Sequence, residues 1–339
     1  MNSPTVASVG EHALIERVRA RAGSPPSWVT VGIGDDAAAF QSERGTFNVV
    51  TTDSLVEGVH FRLDWTAARN VGHKALATSL SDLAAMGASP RAALLSLAMP
   101  PEFSVDDFDA LIDGFVALGT ELRTPLVGGN LTRTTGPLVV DTTLIGGARP
   151  RRLLTRGGGQ PGDQLYVTGN LGAAAAGLEM LSAGTDRSSL SAAELDCVAR
   201  YERPDARLRC GVIIARSRVA RACMDLSDGL ADGATQLASA SGTGVVIDEA
   251  RIPIHPGALS WSTRTSRDAV RLALSGGEDY ELLFAVAPRR RRGFAGAMGR
   301  CQPVTATLVG HLTAEPGAWL QRDGGPVPLG RGFAHFQRG

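Results

Sequence analysis

Acidic side chains set among small and apolar neighbours are the chemically suggestive feature of this 339-residue sequence. They are Asp35 and Asp36 in GIGDDA, Asp53 in TTDSLVEGVHF, Asp82 in LSDLAAMGA, and Asp225 and Asp228 in MDLSDGL. Carboxylates on a solvated face usually sit among Lys and Arg. These do not, which implies partial burial. A buried carboxylate is costly unless it is paired or bound to metal, and too few basic residues stand nearby in sequence to pair them all. Hard oxygen ligands of this kind suit magnesium, above all where phosphates complete the coordination. Each motif also has a plain structural reading. GDD can be an Asx turn, TTD a strand end, and Asp228 the N-cap of a following helix. Asp82 falls late in a helical stretch, where the dipole disfavours an acid and a nearby cation would relieve it. Several such clusters in one chain favour a multi-metal phosphate site.

Other chemistries have less support. No Gly-Lys pair occurs, so there is no Walker loop. A G-x-G-x-x-G at Gly157, Gly159 and Gly162 precedes a strand instead of following one, which fails the context test for a dinucleotide fold. It is a flexible loop or a loop that covers phosphate. Cys197, Cys210, Cys223 and Cys301 form no C-x-x-C pair, which argues against zinc. Such sparse cysteines fit a reducing compartment and read as buried, inert thiols. No Ser-His-Asp or Cys-His pattern stands out. His60, close to Asp53, is the one histidine in suggestive company, with a core or interface role as its alternative. The basic run Arg289 to Arg292 reads as a solvated helix start. Zero net charge and 5% aromatic residues argue against nucleic-acid binding. The absence of a signal-peptide pattern and of an 18-residue apolar run predicts a cytoplasmic protein with no membrane span.

A chain of 339 residues exceeds the size of one hydrophobic core, so two domains are expected. The Gly-rich shift near 150–155 divides it into an N-terminal domain, 1–150, and a C-terminal domain, 151–339. In the first half, helices are predicted at 11–22, 67–86 and from Ser104 to about 123. The Ser104 hydroxyl is the cap, with Asp106 and Asp107 in the first turn. Strands fall at 48–52, 96–99, 125–127 and 138–148. In the second half strands fall at 164–168, 221–224, 244–248 and 282–286. Helices are expected at 171–181, at 191–201, at 204–216 with Pro204 at its first position, and after Gly229. This alternation implies an α/β or α+β class with mixed sheets.

The ordered set GIGDDA, TTDSLVEGVHF, KALATSLSDLAAMGA, GGN, LTR, YVTGNLG, DLSDGL and ALSGGEDYELLF spans nearly the whole chain. It resembles the thiamine-monophosphate kinases, of the superfamily that includes aminoimidazole ribonucleotide synthetase. The resemblance implies two mixed-sheet domains, with the N-terminal one pairing with its copy in a barrel-like homodimer interface. It implies transfer of the ATP γ-phosphoryl group to thiamine monophosphate, with magnesium required and potassium often assisting. By the same resemblance Asp36, Asp53, Asp82, Asp225 and Asp228 match metal-binding acids, and Thr51 and Thr52 match positions that approach metal through oxygen. Asp53, Asp82 and Asp228 are the candidates for catalysis. Gly129, Arg156 and Ser227 match nucleotide contacts, and His60, Glu278 and Phe333 match substrate contacts. Asn130 stands where the family usually has an acid that ligates metal and lies beside the nucleotide. An amide oxygen still ligates magnesium, without the charge. That departure favours one rival, a non-catalytic or altered-specificity binder of nucleotide and a phosphorylated ligand. Rivals within the superfamily lack support. No cysteine precedes Cys197, as a selenophosphate-type enzyme would want, and the chain ends in Gly339, not the Cys of a hydrogenase-maturation protein. SGGEDYEL argues against aminoimidazole ribonucleotide synthetase.

Overall fold

Short apolar runs bounded by glycine and polar turns make the strands of this chain, and apolar residues at helical spacing make its helices. The computed structural model describes residues 4–330 and residue 332, so Phe333 lies outside the described residues. Two units emerge: the chain up to Leu83 with Ser89–Pro150, and Ala84–Ala88 with the chain from Arg151 onward.

Up to residue 150 the order is α1 (Val6–Val9), α2 (Glu11–Ala22), β1 (Val29–Val31), β2 (Ala39–Phe40), β3 (Phe47–Val56), α3 (Ala68–Ala85), β4 (Ser89–Met99), α4 (Val105–Glu121), β5 (Leu126–Arg133) and β6 (Val139–Ala148). β1 and β2 pair as a small ribbon. The main sheet has the order β3-β6-β4-β5. β6 runs antiparallel to both β3 and β4, and β4 runs parallel to β5. It is an open sheet, and no closed barrel forms among the described residues. Val71, Leu76, Leu80 and Leu83 of α3 are completely buried. Ser104 caps α4 by accepting from the Asp107 N–H at 3.0 Å. On the outer face of β3, Val50 is 62% exposed and stands opposite Ile145 of β6.

From residue 151 the order is β7 (Gln164–Thr168), α5 (Ala173–Ser182), α6 (Ala192–Glu202), α7 (Leu208–Ser217), β8 (Ala222–Asp225), α8 (Leu230–Ser241), β9 (Gly244–Asp248), α9 (Pro256–Thr265), α10 (Ala269–Ser275), β10 (Leu282–Val286), α11 (Arg291–Met298), β11 (Ala306–Thr313), β12 (Ala318–Arg322) and β13 (Gly325–Pro328). The sheet order is β13-β12-β9-β11-β7-β10-β8. All its pairs are antiparallel except β12 with β9. β10 lies between β7 and β8 and is buried along its whole length, which is why it reads as the unbroken run LLFAV. Mixed sheets with helices in both units make the fold α/β (α+β).

Several elements depart from the sequence expectation. The helix expected from Pro204 begins at Leu208, after Arg207, whose side chain is buried against Glu281. β5 runs on through the polar segment to Arg133 because β4 supplies its backbone partners. Asp228 does not cap α8, since Gly229 holds that position without a side-chain bond.

Candidate active site

In the first unit the site is built where β3 meets α3. Strand alternation puts Thr51 and Asp53 on the same face of β3. Ser79 and Asp82, three residues apart, share a face of α3. The Ser79 hydroxyl donates to Asp53 Oδ2 at 2.6 Å, and the Thr51 hydroxyl donates to Asp82 Oδ2. Burial, then the charge of Asp82, push the Asp53 carboxyl up to about 6, against the donation from Ser79. Asp82 sits in the last turn of α3, where the helix dipole also disfavours it. Two carboxylates are thus gathered against their own electrostatics among hydroxyl oxygens. That hard-oxygen donor set fits magnesium.

Asp35 and Asp36 are exposed, contrary to the burial expected of them, because GIGDD forms a turn between β1 and β2. The Asp36 N–H donates to Asp35 Oδ1 at 2.8 Å. Thr52 is exposed on the opposite face of β3 from Asp53, with its hydroxyl 3.2 Å from that of Thr143. Gly129 and Asn130 are exposed in β5, opposite Leu95 and Ser96. A Cβ at Gly129 would stand 1.8 Å from the Leu95 carbonyl oxygen, so only glycine lets β5 lie this close to β4. His60 accepts the Val56 N–H on Nδ1 at 3.0 Å, so the neutral ring carries its proton on Nε2. Lys74, buried in α3, donates to the His60 carbonyl at 3.0 Å.

In the second unit β8 ends in Asp225, which is only 4% exposed. The next residues pair with the loop that leads into β10. Leu226 exchanges backbone bonds with Tyr280 and Glu281, and the Glu278 N–H donates to the Ser227 carbonyl at 2.7 Å. Glu278 and Tyr280 both hold positive φ, at 69° and 49°. Non-glycine residues rarely adopt that conformation, and it costs roughly 1–3 kcal/mol at each. The Ser227 hydroxyl donates to Asp228 Oδ2 at 2.9 Å.

Beneath this loop lies a polar framework that the sequence motifs did not reveal. Glu281 is 0% exposed and receives the Arg207 guanidinium, with Nε at 2.7 Å, and the Thr168 hydroxyl at 2.6 Å. Asp279 accepts the Gly172 and Ala174 N–H groups at 2.6 and 3.0 Å, capping α5 from across the fold. Burial pushes its carboxyl up to about 7, against those two donations. Glu278 is thus flanked by Asp279 and Glu281, both tied into the core.

Arg156 is exposed and donates to Gln236 Oε1 at 2.6 Å, and Gln236 in turn donates to Asp232. The glycines after Arg156 pack closely: a Cβ at Gly159 would meet Leu312 at 2.5 Å and Ser241 at 2.9 Å. Arg289 to Arg292 are exposed at the start of α11, as expected.

A Cys-His-Asp string, invisible in sequence, does form. Cys197 Sγ lies 3.2 Å from His255 Nδ1, and His255 Nε2 lies 2.9 Å from Asp196 Oδ2. Burial, chiefly, pushes the Cys197 thiol up to about 12, the reverse of what a nucleophile needs. His255 Nδ1 also accepts the Gly257 N–H at 3.2 Å, so the imidazole serves as the N-cap of α9.

Asp36, Asp53 and Asp82 thus belong to one unit, and Asp225 and Asp228 to the other. Among the described residues no three His, Cys, Asp or Glu side chains stand close enough together to hold a metal ion by themselves. Oxygen from hydroxyls, the Asn130 amide or bound phosphate would have to complete any coordination. The site residues missed in sequence are Ser79, Arg207, Asp279 and Glu281. Ser79 carried a signal, its spacing of three from Asp82 on a helix.

Residues 34–148 match the AIR synthase related protein N-terminal domain, and 160–321 the C-terminal domain of the same name. The thiamine-monophosphate kinase of Escherichia coli (strain K12) is 38% identical over 331 residues, covering 96% of this chain and 98% of that protein. The crystal structure of thiamine-monophosphate kinase from Stenotrophomonas maltophilia K279a superposes with a TM-score of 0.82 at 35% identity, covering 93% of this chain and 96% of that one. AaThiL complexed with AMPPCP and TMP superposes with a TM-score of 0.77 at 29% identity, covering 99% of this chain and 100% of that one.

Proposed function

Because the chain belongs to the thiamine-monophosphate kinase family, we propose that it transfers the γ-phosphoryl group of ATP to thiamine monophosphate, giving thiamine diphosphate and ADP. The observation that carries this reading is a likeness running over 96% of the chain, across both units.

Phosphoryl transfer of this kind needs positioning and charge neutralisation more than a covalent nucleophile. The acceptor phosphate brings its own anionic oxygen, so no strong general base is required. In the first unit Asp36, Thr51, Asp53 and Asp82 are the proposed magnesium ligands, with Thr52 and Asn130, whose side chains lie on the other face of the sheet, proposed for a separate ion, and in the second unit Asp225 and Asp228. Bound there, magnesium supplies the positive charge that offsets repulsion between two phosphate groups. Thr51 and Ser79 orient the carboxylates of Asp82 and Asp53 through their hydroxyls. Gly129, Arg156 and Ser227 are the proposed nucleotide contacts. Arg156, exposed and bonded to a neutral amide, exchanges that bond for a phosphate at little cost. For the thiamine moiety, His60 offers an Nε2–H donor and Glu278 an acceptor for the aminopyrimidine, with Phe333 as the third proposed contact. Potassium would add to phosphate neutralisation.

We also propose a cytoplasmic homodimer joined through the outer face of the four-stranded sheet. Val50 supports that surface, and the four buried free thiols fit a reducing compartment. Among the described residues no helix is long and apolar enough to cross a membrane.

The test is a coupled assay of ADP release with thiamine monophosphate as acceptor. ADP formation that requires both thiamine monophosphate and magnesium supports the kinase. Asn130 favours a second reading, a binder without turnover, because a neutral amide replaces a charge at the proposed metal site. Ligand binding with no ADP release would establish that reading instead.

A further inference from the structure

Opposite Asp53 across the β3–β6 ladder stands Thr142. Facing residues on neighbouring antiparallel strands project to the same side of the sheet, with Cβ atoms about 4.5–5.5 Å apart. Thr142 is 0% exposed, and its Oγ1 has no hydrogen-bond partner among the described residues. A buried hydroxyl left unsatisfied is destabilising, and such groups in native folds ask for an explanation. The neighbours on its own strand face are Val140 and Leu144, and Leu95 lies opposite on β4, so nothing apolar there rewards the oxygen. Valine, of nearly the same shape, would fill the position at no polar cost. Across the ladder the Asp53 carboxylate accepts from the Ser79 hydroxyl through Oδ2. A buried hydroxyl without a partner therefore faces a carboxylate beside the proposed cation seat.

We propose that Thr142 is a positioning residue of the magnesium site, donating its hydroxyl to the Asp53 carboxylate when that carboxylate holds a cation. The inference rests on the reading of Asp53 as a ligand. Ser79 on one oxygen and Thr142 on the other would fix the plane of the carboxylate, and outer-shell donors of this kind govern how firmly a ligand holds its metal. The polar cost borne in the metal-free protein is recovered on loading, a pattern expected where function and stability compete.

The experiment titrates the metal-free protein with Mn2+ alone, following free Mn2+ by electron paramagnetic resonance, for wild type, Asp53→Asn, Thr142→Val, Thr142→Ser and Thr142→Ala. Asp53→Asn identifies the relevant binding class by losing it. Thr142→Val is expected to weaken that class about 10-fold or more, with a metal-free Tm no lower than wild type. Thr142→Ser, which keeps the hydroxyl, is expected to bind as wild type does. Wild-type affinity in Thr142→Val overturns the inference while leaving the Asp53 site standing. Unchanged binding in Asp53→Asn overturns the site itself. If Thr142→Val does not fold, the Ser and Ala variants decide: weakening in Ala alone supports the role of the hydroxyl, and equal affinities refute it.

Discussion

The hydroxyl of Ser79 donates to Asp53 Oδ2 at 2.6 Å, joining the middle of α3 to β3 across 26 residues of sequence. This bond fixes Asp53 beside Asp82 although the two carboxylates repel. Burial and that repulsion push the Asp53 carboxyl up to about 6, well above the ordinary carboxylate range. A fold that keeps such a pair without a cation sacrifices stability at neutral pH.

That sacrifice is measurable. A carboxyl whose folded pKa is raised binds its proton more tightly when folded, so stability falls as pH rises from about 4 to about 6 and then levels off. The shift amounts to roughly 2–3 kcal/mol at neutral pH. Asp53→Asn should therefore raise the Tm of the metal-free protein at neutral pH, and the gain should vanish near pH 4. Thermal unfolding in chelator at both pH values is the check. A gain that is the same at both would show that the carboxyl is not the cause.

Buried Arg207 and Glu281 hold the loop that presents Glu278. Removing Arg207 leaves a fully buried carboxylate without its main partner. Arg207→Ala should cost about 3–5 kcal/mol, read from urea unfolding midpoints. A loss below about 1 kcal/mol, the range of surface ion pairs, would mean that the pair does not brace the loop.

Asn130 is exposed on β5, in register through Ser96 and Asp141 with Ser54, so its amide lies on the Thr52 face of the sheet, where it is a proposed ligand. Asn130→Asp should lower the magnesium concentration that half-saturates turnover by several-fold, since a charged oxygen replaces a neutral one. An unchanged magnesium dependence would remove this position from the ligand set.

Val50, 62% exposed on the outer sheet face, marks the proposed homodimer surface. Sedimentation velocity should show a dimer for wild type and a monomer for Val50→Arg, because burying an unpaired charge in an interface is costly. Dimers in both proteins would move the interface elsewhere.

Much of this architecture can be read from residues alone, for reasons that also mark where reading stops. Strands β7, β9 and β10 coincide with short apolar runs between turn signals, because buried strands need no polar alternation. The Ser104 cap and α2 follow from local rules. β5 beyond Val127 is a Gly-rich, polar stretch whose strand character comes from its partner β4, and β13, with two prolines in four residues, is a strand only through its pairing with β12. α7 begins only after Arg207, whose side chain is bonded to Glu281, 74 residues away. Among site residues, Asp53 and Asp82 stood out by their apolar company. Asp36 had similar company and is nonetheless exposed, since a turn takes its neighbours to the surface. Thr142 gave no local signal, because only strand register brings it opposite Asp53.

The most direct measurement follows the label from ATP radiolabelled at its γ-phosphate, incubated with thiamine monophosphate and magnesium. Wild type should place the label in thiamine diphosphate, and Asp53→Asn should lose at least about 100-fold of that rate. Label that appears only as inorganic phosphate, or transfer undiminished in Asp53→Asn, would contradict a phosphoryl-transfer site centred on this carboxylate.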